Sequence, residues 1–283
     1  MASVLRVIYR NRARLSVLLA LLALLALTLS GCTTDTPQNT FDSKGEVADR
    51  QANIFIVAMW PALVIMAGVL GGIVLIVLRW RERDPNQLPP KQIHGDTRLE
   101  VAWTIAPAVL LLIIGVPMVA TIADIGREPS SDAYIINVVG QRYSWLFEYP
   151  EEINAEGRPV QSINEAHIPV GREVAFQLRS VDVVHSFWVP KLGGKKDVFP
   201  CNLATPEPEA QPTPHGERPQ CDGGQMNVLW LKADEPASYS GQCAEYCGLE
   251  HALMKMTIHA DEDADFQAWI KEKLAGNSGG GGN

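Results

Sequence analysis

Two long uncharged runs dominate the first half of the chain, and a shorter rhythm takes over in the second. Ile54 to Leu78 is mostly apolar and long enough to cross a bilayer with some tilt. Trp60 and Trp80 stand towards its ends, as interfacial aromatics do. Pro61 is expected in the first helical turn, where proline is tolerated. Gly68, Gly71 and Gly72 would admit a neighbouring helix at close range. The second run, Val101 to Ile122, carries Pro107 and Pro117, which are expected to bend it. The pattern predicts a transmembrane hairpin: helices over 54–80 and 101–124, joined by a connector over 81–100. Arg79, Arg81 and Arg83 follow the first run at once and place the connector on the cytoplasmic side. Both termini then face the extracytoplasmic space. The alternative, two buried core helices of a soluble protein, suits uncharged runs of this length poorly.

From Ala133 the pattern becomes one of short strands. Ala133 to Gly140 is rich in β-branched residues, and Glu173 to Arg179 alternates for most of its length. Val228 to Lys232, Ser238 to Gln242 and Met254 to Ala260 are further candidates. Many short strands punctuated by Gly and Pro predict an all-β sandwich or barrel over 133–274. Asp261 to Leu274 mixes charged and apolar residues as a short helix does. The Gly-rich end, 275–283, reads as a flexible tail.

The N-terminus has the rhythm of an export signal. Arg6, Arg10, Arg12 and Arg14 precede an apolar run, Val17 to Leu29, that is too short to span comfortably. Leu29-Ser30-Gly31-Cys32 closes it and resembles a bacterial lipobox. Residues 1–31 are therefore expected to be removed and Cys32 lipidated, with membrane lipid as a partner. An ordinary signal peptide, or an uncleaved anchor with Cys32 incidental, is the alternative. Residues 32–53 are expected to form a polar tether.

Composition refines this picture in two places. The chain has 283 residues, 47% of them hydrophobic, and a formal net charge of -8, so nucleic acid is not expected among its partners. Residues 133–283 hold 21 acidic and 12 basic side chains. Such a surface either steers a basic protein partner or serves solubility. No Cys-x-x-Cys-His occurs in these residues, so a c-type haem attached to them is not expected.

The candidate chemistry lies between Gly241 and Met256. Cys243, Cys247, His251 and Met254 follow one another at spacings of four, four and three, and His185 stands upstream in Val-Val-His-Ser-Phe-Trp-Val-Pro. Thiols, imidazoles and a thioether are the donors that select copper over magnesium or calcium. The set can build a two-copper centre in which both thiolates bridge the metals and each histidine holds one. Met254 and the backbone carbonyl of Glu245 would then be weak ligands on opposite sides. A Cys243–Cys247 disulfide is the competing reading in an exported protein, but it needs neither the histidines nor the methionine. A single-copper blue site needs only one cysteine.

Gly-Gln-Cys-x-Glu-x-Cys-Gly-x-x-His-x-x-Met resembles the signature of subunit II of the haem–copper cytochrome c oxidases, which carries the CuA centre. The resemblance covers roughly Ile54 to Ala260. It implies a two-helix transmembrane hairpin plus an all-β, cupredoxin-like Greek-key barrel. It also implies binuclear copper at His185, Cys243, Glu245, Cys247, His251 and Met254. Oxidase subunit I, along with other oxidase subunits, is the implied partner, and cytochrome c, or a cytochrome c domain, the implied electron donor. The Glu245 side chain would reach towards a magnesium ion at the subunit I boundary. His94 to Thr104 is similar to the family's connector, and the resemblance assigns Glu100 to the mouth of a proton pathway. It assigns Asp182 to the docking face for the donor.

Two departures stand out. The family's Trp-Tyr-Trp is replaced by Tyr143-Ser144-Trp145, so the aromatic that receives the electron is either Tyr143 or Trp145. Residues 201–223 form an insertion dense in Pro, Glu and Gln, bracketed by Cys201 and Cys221. A disulfide closing this excursion is expected, with a second metal site involving His215 as the alternative. Three other functions are weighed against an oxidase subunit. A copper assembly or storage lipoprotein would need neither the paired spans nor the connector. A quinol oxidase subunit would lack the copper ligands. A nitrous oxide reductase copper domain shares the ligands but not the spans.

Overall fold

The computed structural model describes residues 36–81, 95–203, 221–222 and 226–276, with 19–20, 23–24, 27 and 92. Cys32 and His215 lie outside the described residues. The first long helix, α1 (Glu46–Trp80), has 35 residues, and the second, α2 (Thr97–Ile125), has 29. At 1.5 Å per residue α1 is about 52 Å long, well beyond the roughly 30 Å of a bilayer core. Both are apolar and exposed along their length; Val64 and Leu111 are each 70% exposed. With these two spans the chain is a membrane protein.

The surplus length of α1 lies at its N-terminal end, which corrects the expected tether over 32–53. Val47 and Ala48 are each 2% exposed, and the Ala48 amide donates to the Leu192 carbonyl at 3.2 Å. Two apolar residues of an otherwise polar first turn have found apolar cover, so the helix starts eight residues before the span. Gly193, at φ +86°, permits the contact, because a Cβ there would lie 2.5 Å from the Ala48 nitrogen. Ion pairs of Lys191 with Asp42 (2.6 Å) and Lys44 with Glu235 (2.9 Å) flank it. Pro61 consequently sits inside the helix rather than in its first turn. The helix α2 runs without a break through Pro107 and Pro117. Asp96 caps it, accepting from the amides of Arg98 (2.9 Å) and Leu99 (3.4 Å).

The far end of α2 is also fixed to the β domain. The Arg127 guanidinium lies 3.9 Å from the Trp230 ring centroid and pairs with Glu173 at 2.7 Å. Trp230 Nε1 donates to the Ile125 carbonyl at 3.0 Å. Arg50 of α1 pairs with Asp124 of α2.

The β domain starts with β1 (Tyr134–Gln141), β2 (Ser144–Ile153), β3 (Pro159–Ile163), β4 (Glu165–Pro169), β5 (Val174–Ser180), β6 (His185–Val189) and β7 (Gly193–Val198). It continues with β8 (Asn202–Leu203), β9 (Cys221–Asp222), β10 (Asn227–Leu231), β11 (Ala237–Cys243) and β12 (Lys255–Asp261), and closes with α3 (Asp263–Gly276). One five-stranded sheet has the order β10-β5-β1-β2-β3 and the other β4-β12-β11-β6-β7. The β1–β5 and β4–β12 pairs are parallel and the others antiparallel. The chain passes repeatedly from one sheet to the other, giving the cupredoxin-like Greek-key arrangement. Between the sheets lie Ile136, Trp145, Phe147, Phe176, Leu178, Phe187 and Ile258, all fully buried. Burying side chains of this size stabilises a fold by roughly 1.5–3 kcal/mol each.

Candidate metal centre

Three elements bring the donors to one end of the barrel. His185 opens β6 and Cys243 closes β11, on adjacent strands; in their register Cys243 faces Phe187. Cys247, His251 and Met254 come from the connection between β11 and β12, which contains a 3-10 turn at His251–Leu253. The Cys243 amide donates to the Met254 carbonyl at 2.9 Å, closing the loop on itself.

The donor atoms form a short row. His185 Nδ1 lies 3.8 Å from Cys243 Sγ. The two sulfurs are 3.9 Å apart and both thiols are free. Cys247 Sγ lies 3.6 Å from His251 Nδ1 and 3.8 Å from Met254 Sδ. The Glu245 carbonyl oxygen is 3.2 Å from Cys243 Sγ, while the Glu245 side chain is exposed. His185 and Met254 are fully buried, Cys243 is 3% and Cys247 5% exposed. A disulfide needs sulfurs about 2.05 Å apart, so this pair is poised to hold something between its members. The ligand atoms of His185, Cys243 and Cys247 all lie within 4.8 Å of one another. Soft sulfur and imidazole donors facing one another in a largely buried row fit copper.

The electrostatics shift the two thiols in opposite directions. Burial alone would raise the Cys243 thiol, but hydrogen bonds from His185 and from the backbone at Ser186 and Glu245 bring it down to about 6. Burial, followed by the charge of Cys243, pushes Cys247 up to about 11. Two negative sulfurs this close need a cation to compensate them.

Asp182 does more than sit near the surface. Its Oδ1 accepts from His185 Nε2 at 2.9 Å, which holds the ring with Nδ1 turned towards the sulfurs. Burial opposes ionisation of Asp182. Hydrogen bonds from His185, from the Arg142 and Val183 amides and from the Arg142 side chain nevertheless hold it well below the usual carboxylate range. Gly140 is a residue that sequence reasoning missed: a Cβ there would lie 3.0 Å from the His185 ring and 3.4 Å from Trp145. Its signal in the sequence is a lone glycine ending a β-branched run.

Tyr143 and Trp145 occupy different environments. Trp145 is fully buried, with its ring 5.9 Å from that of His185. Tyr143 is half-buried, and its hydroxyl accepts from the Leu249 amide at 3.1 Å. A Cβ on Gly248, which has φ +136°, would lie 2.5 Å from that hydroxyl. Tyr143 thus packs directly on the loop that carries Cys247. Glu100 stands apart, exposed in the first turn of α2. Cys201 is disulfide-bonded. Cys221 lies on β9, whose backbone pairs with β8; its side chain is outside the described residues.

Comparisons with known proteins place the chain among oxidase subunits. Residues 35–120 match the family model described as cytochrome c oxidase subunit II, transmembrane domain, and residues 212–261 the one for its periplasmic domain. The chain is similar to cytochrome c oxidase subunit 2 of Alkalihalophilus pseudofirmus, at 33% identity over 88% of this chain and 66% of the relative. It is similar to cytochrome c oxidase subunit 2 of Bacillus subtilis at 32% identity, covering 90% of this chain and 67% of that protein. Quinol oxidase subunit 2 of Bacillus cereus is 30% identical over 88% of this chain and 76% of its own length. Among solved structures, the periplasmic domain of subunit II of cytochrome oxidase from Bradyrhizobium japonicum is 25% identical. That match covers 53% of this chain and 98% of that one, with a TM-score of 0.40.

Proposed function

This chain belongs to the cytochrome c oxidase subunit II family, and from that premise we propose that it takes electrons from cytochrome c at a binuclear CuA centre and delivers them to haem in subunit I. Oxygen reduction and proton translocation take place in that partner. The observation that carries this reading is the row His185 Nδ1, Cys243 Sγ, Cys247 Sγ, His251 Nδ1 at 3.8, 3.9 and 3.6 Å. Met254 and the Glu245 carbonyl stand beside it as the weaker donors.

When bound, the copper pair supplies a one-electron redox centre whose charge is shared between two metals. The chain's own residues prepare for that chemistry. Cys243 and Cys247 lose their thiol protons; Asp182 orients the His185 imidazole; the buried walls exclude water. A rigid, dry donor set changes little when charge arrives, which favours fast transfer. Of the two aromatics weighed as electron acceptors, partial exposure and contact with the ligand loop favour Tyr143.

The copper domain faces the extracytoplasmic space, Glu100 feeds protons towards subunit I, Cys32 carries the lipid anchor and Cys201 pairs with Cys221. A magnesium ion would take the exposed Glu245 carboxylate, since oxygen donors suit a hard cation. Replacing Glu100 by Ala is expected to slow proton-coupled turnover and leave the copper spectrum unchanged.

A quinol oxidase subunit, the name borne by some relatives, would have no use for this donor row, and the soft ligand set favours cytochrome c. A copper assembly lipoprotein would have no use for two spans. Electron paramagnetic resonance on the copper-loaded full-length protein tests the proposal. A seven-line hyperfine pattern is expected; a four-line pattern, or one copper per chain, rejects it.

A further inference from the structure

The two imidazoles that flank the sulfurs are held in different ways. His185 is fully buried, and its outer nitrogen is tied to Asp182 at 2.9 Å. His251 is half-buried on the loop, and among the described residues its Nε2 has no hydrogen-bond partner. The Tyr246 ring packs edge-on against the His251 ring: the two centroids are 5.7 Å apart, with planes at 61°. Tyr246 itself is 74% exposed, so the barrel core gains little from its bulk.

We infer that Tyr246 is a positioning residue for His251, holding the imidazole edge-on so that Nδ1 stays aimed at Cys247. The inference rests on the CuA reading above and concerns the loop half of that site. An edge-to-face aromatic pair is worth about 0.5–1.5 kcal/mol beyond its area, which corresponds to roughly twofold to tenfold in an equilibrium or a rate. For His185 the orienting role belongs to a charged hydrogen bond. For His251 it belongs to a ring contact. Phenylalanine preserves that contact; leucine preserves apolar bulk without a ring; alanine removes both.

The test uses full-length protein in detergent, loaded with copper, as wild type and as Tyr246→Phe, Tyr246→Leu and Tyr246→Ala. Two readouts are taken: the rate of copper loss to an excess of chelator, and the copper hyperfine pattern. The phenylalanine variant should match wild type in both. The leucine and alanine variants should lose copper about twofold to tenfold faster and show altered hyperfine splitting. Their melting temperatures should stay near that of wild type. Wild-type behaviour in the leucine and alanine variants overturns the inference, as does a phenylalanine variant as impaired as alanine, which would assign the effect to the hydroxyl. A wild-type protein that holds two coppers while the variants are indifferent overturns this inference alone. A wild-type protein that holds no copper pair overturns the CuA reading and this inference with it.

Discussion

One half of the ligand row is built on strands and the other on a loop, and the two are stabilised by different physics. His185 and Cys243 belong to adjacent, hydrogen-bonded strands, so the sheet itself fixes their separation. Asp182 then locks the His185 ring, and Gly140 makes room for it. Cys247, His251 and Met254 hang on a connection closed by the Cys243–Met254 backbone bond, with Tyr143 braced against it. A strand-borne ligand inherits the rigidity of the barrel. A loop-borne one depends on local contacts that single substitutions can remove.

The comparison breaks most completely at the sulfurs, which belong to both halves. Cys243→Ser is expected to reduce bound copper from two per chain to one or none, measured by metal analysis after desalting. Asp182→Ala comes next. It frees the His185 ring and, like other losses of a ligand's hydrogen-bond partner, should weaken metal binding by about 10- to 100-fold in a competition titration. A similar loss from a loop-side substitution that spares the ligands would show that the two halves are equally rigid.

Gly248→Ala probes the loop directly. It places a Cβ at φ +136°, 2.5 Å from the Tyr143 hydroxyl, and should cost roughly 1–3 kcal/mol of stability, read as a lowered midpoint in denaturant. Tyr143→Phe removes only the acceptor for the Leu249 amide. With that amide exposed, a loss of about 0.5–1 kcal/mol is expected by the same measurement.

The smallest effect comes from outside both halves, where His259 stacks on His167 with centroids 4.6 Å apart. Burial, with the charge of His167 added, holds His259 below its usual value of 6.5. A base depressed on folding contributes stability that is complete above its unfolded value and is lost as pH falls below it towards the folded value. Melting of the metal-free protein should therefore weaken as pH falls below about 6.5, and less so in His259→Gln. An identical slope in the variant would remove His259 from that acid sensitivity.

Much of this molecule was legible in one dimension. Uncharged runs of more than twenty residues have few fates other than a bilayer, so the hairpin follows from hydropathy alone. The ligand loop was legible because its donors sit within twelve residues, and local spacing constrains local geometry. The helix start was not legible: Glu46 to Asn53 is polar enough to pass for a tether. Only the barrel surface at Leu192 and Gly193 makes Val47 and Ala48 worth burying. The roles of Asp182 and Gly140 were equally hidden, because each depends on where β6 lies relative to β1 and its neighbours.

The sequence by itself determined the two spans and the β domain and offered the donor residues as candidates, since spans and strands rest on composition and short-range periodicity. Tertiary structure decided which nitrogen of His185 faces the sulfurs, and that Trp145 is buried while Tyr143 meets the loop. It also docked the first helix on the barrel. Those outcomes depend on contacts between residues distant in the chain, and hydrogen-bond direction and burial do not exist until the strands are paired.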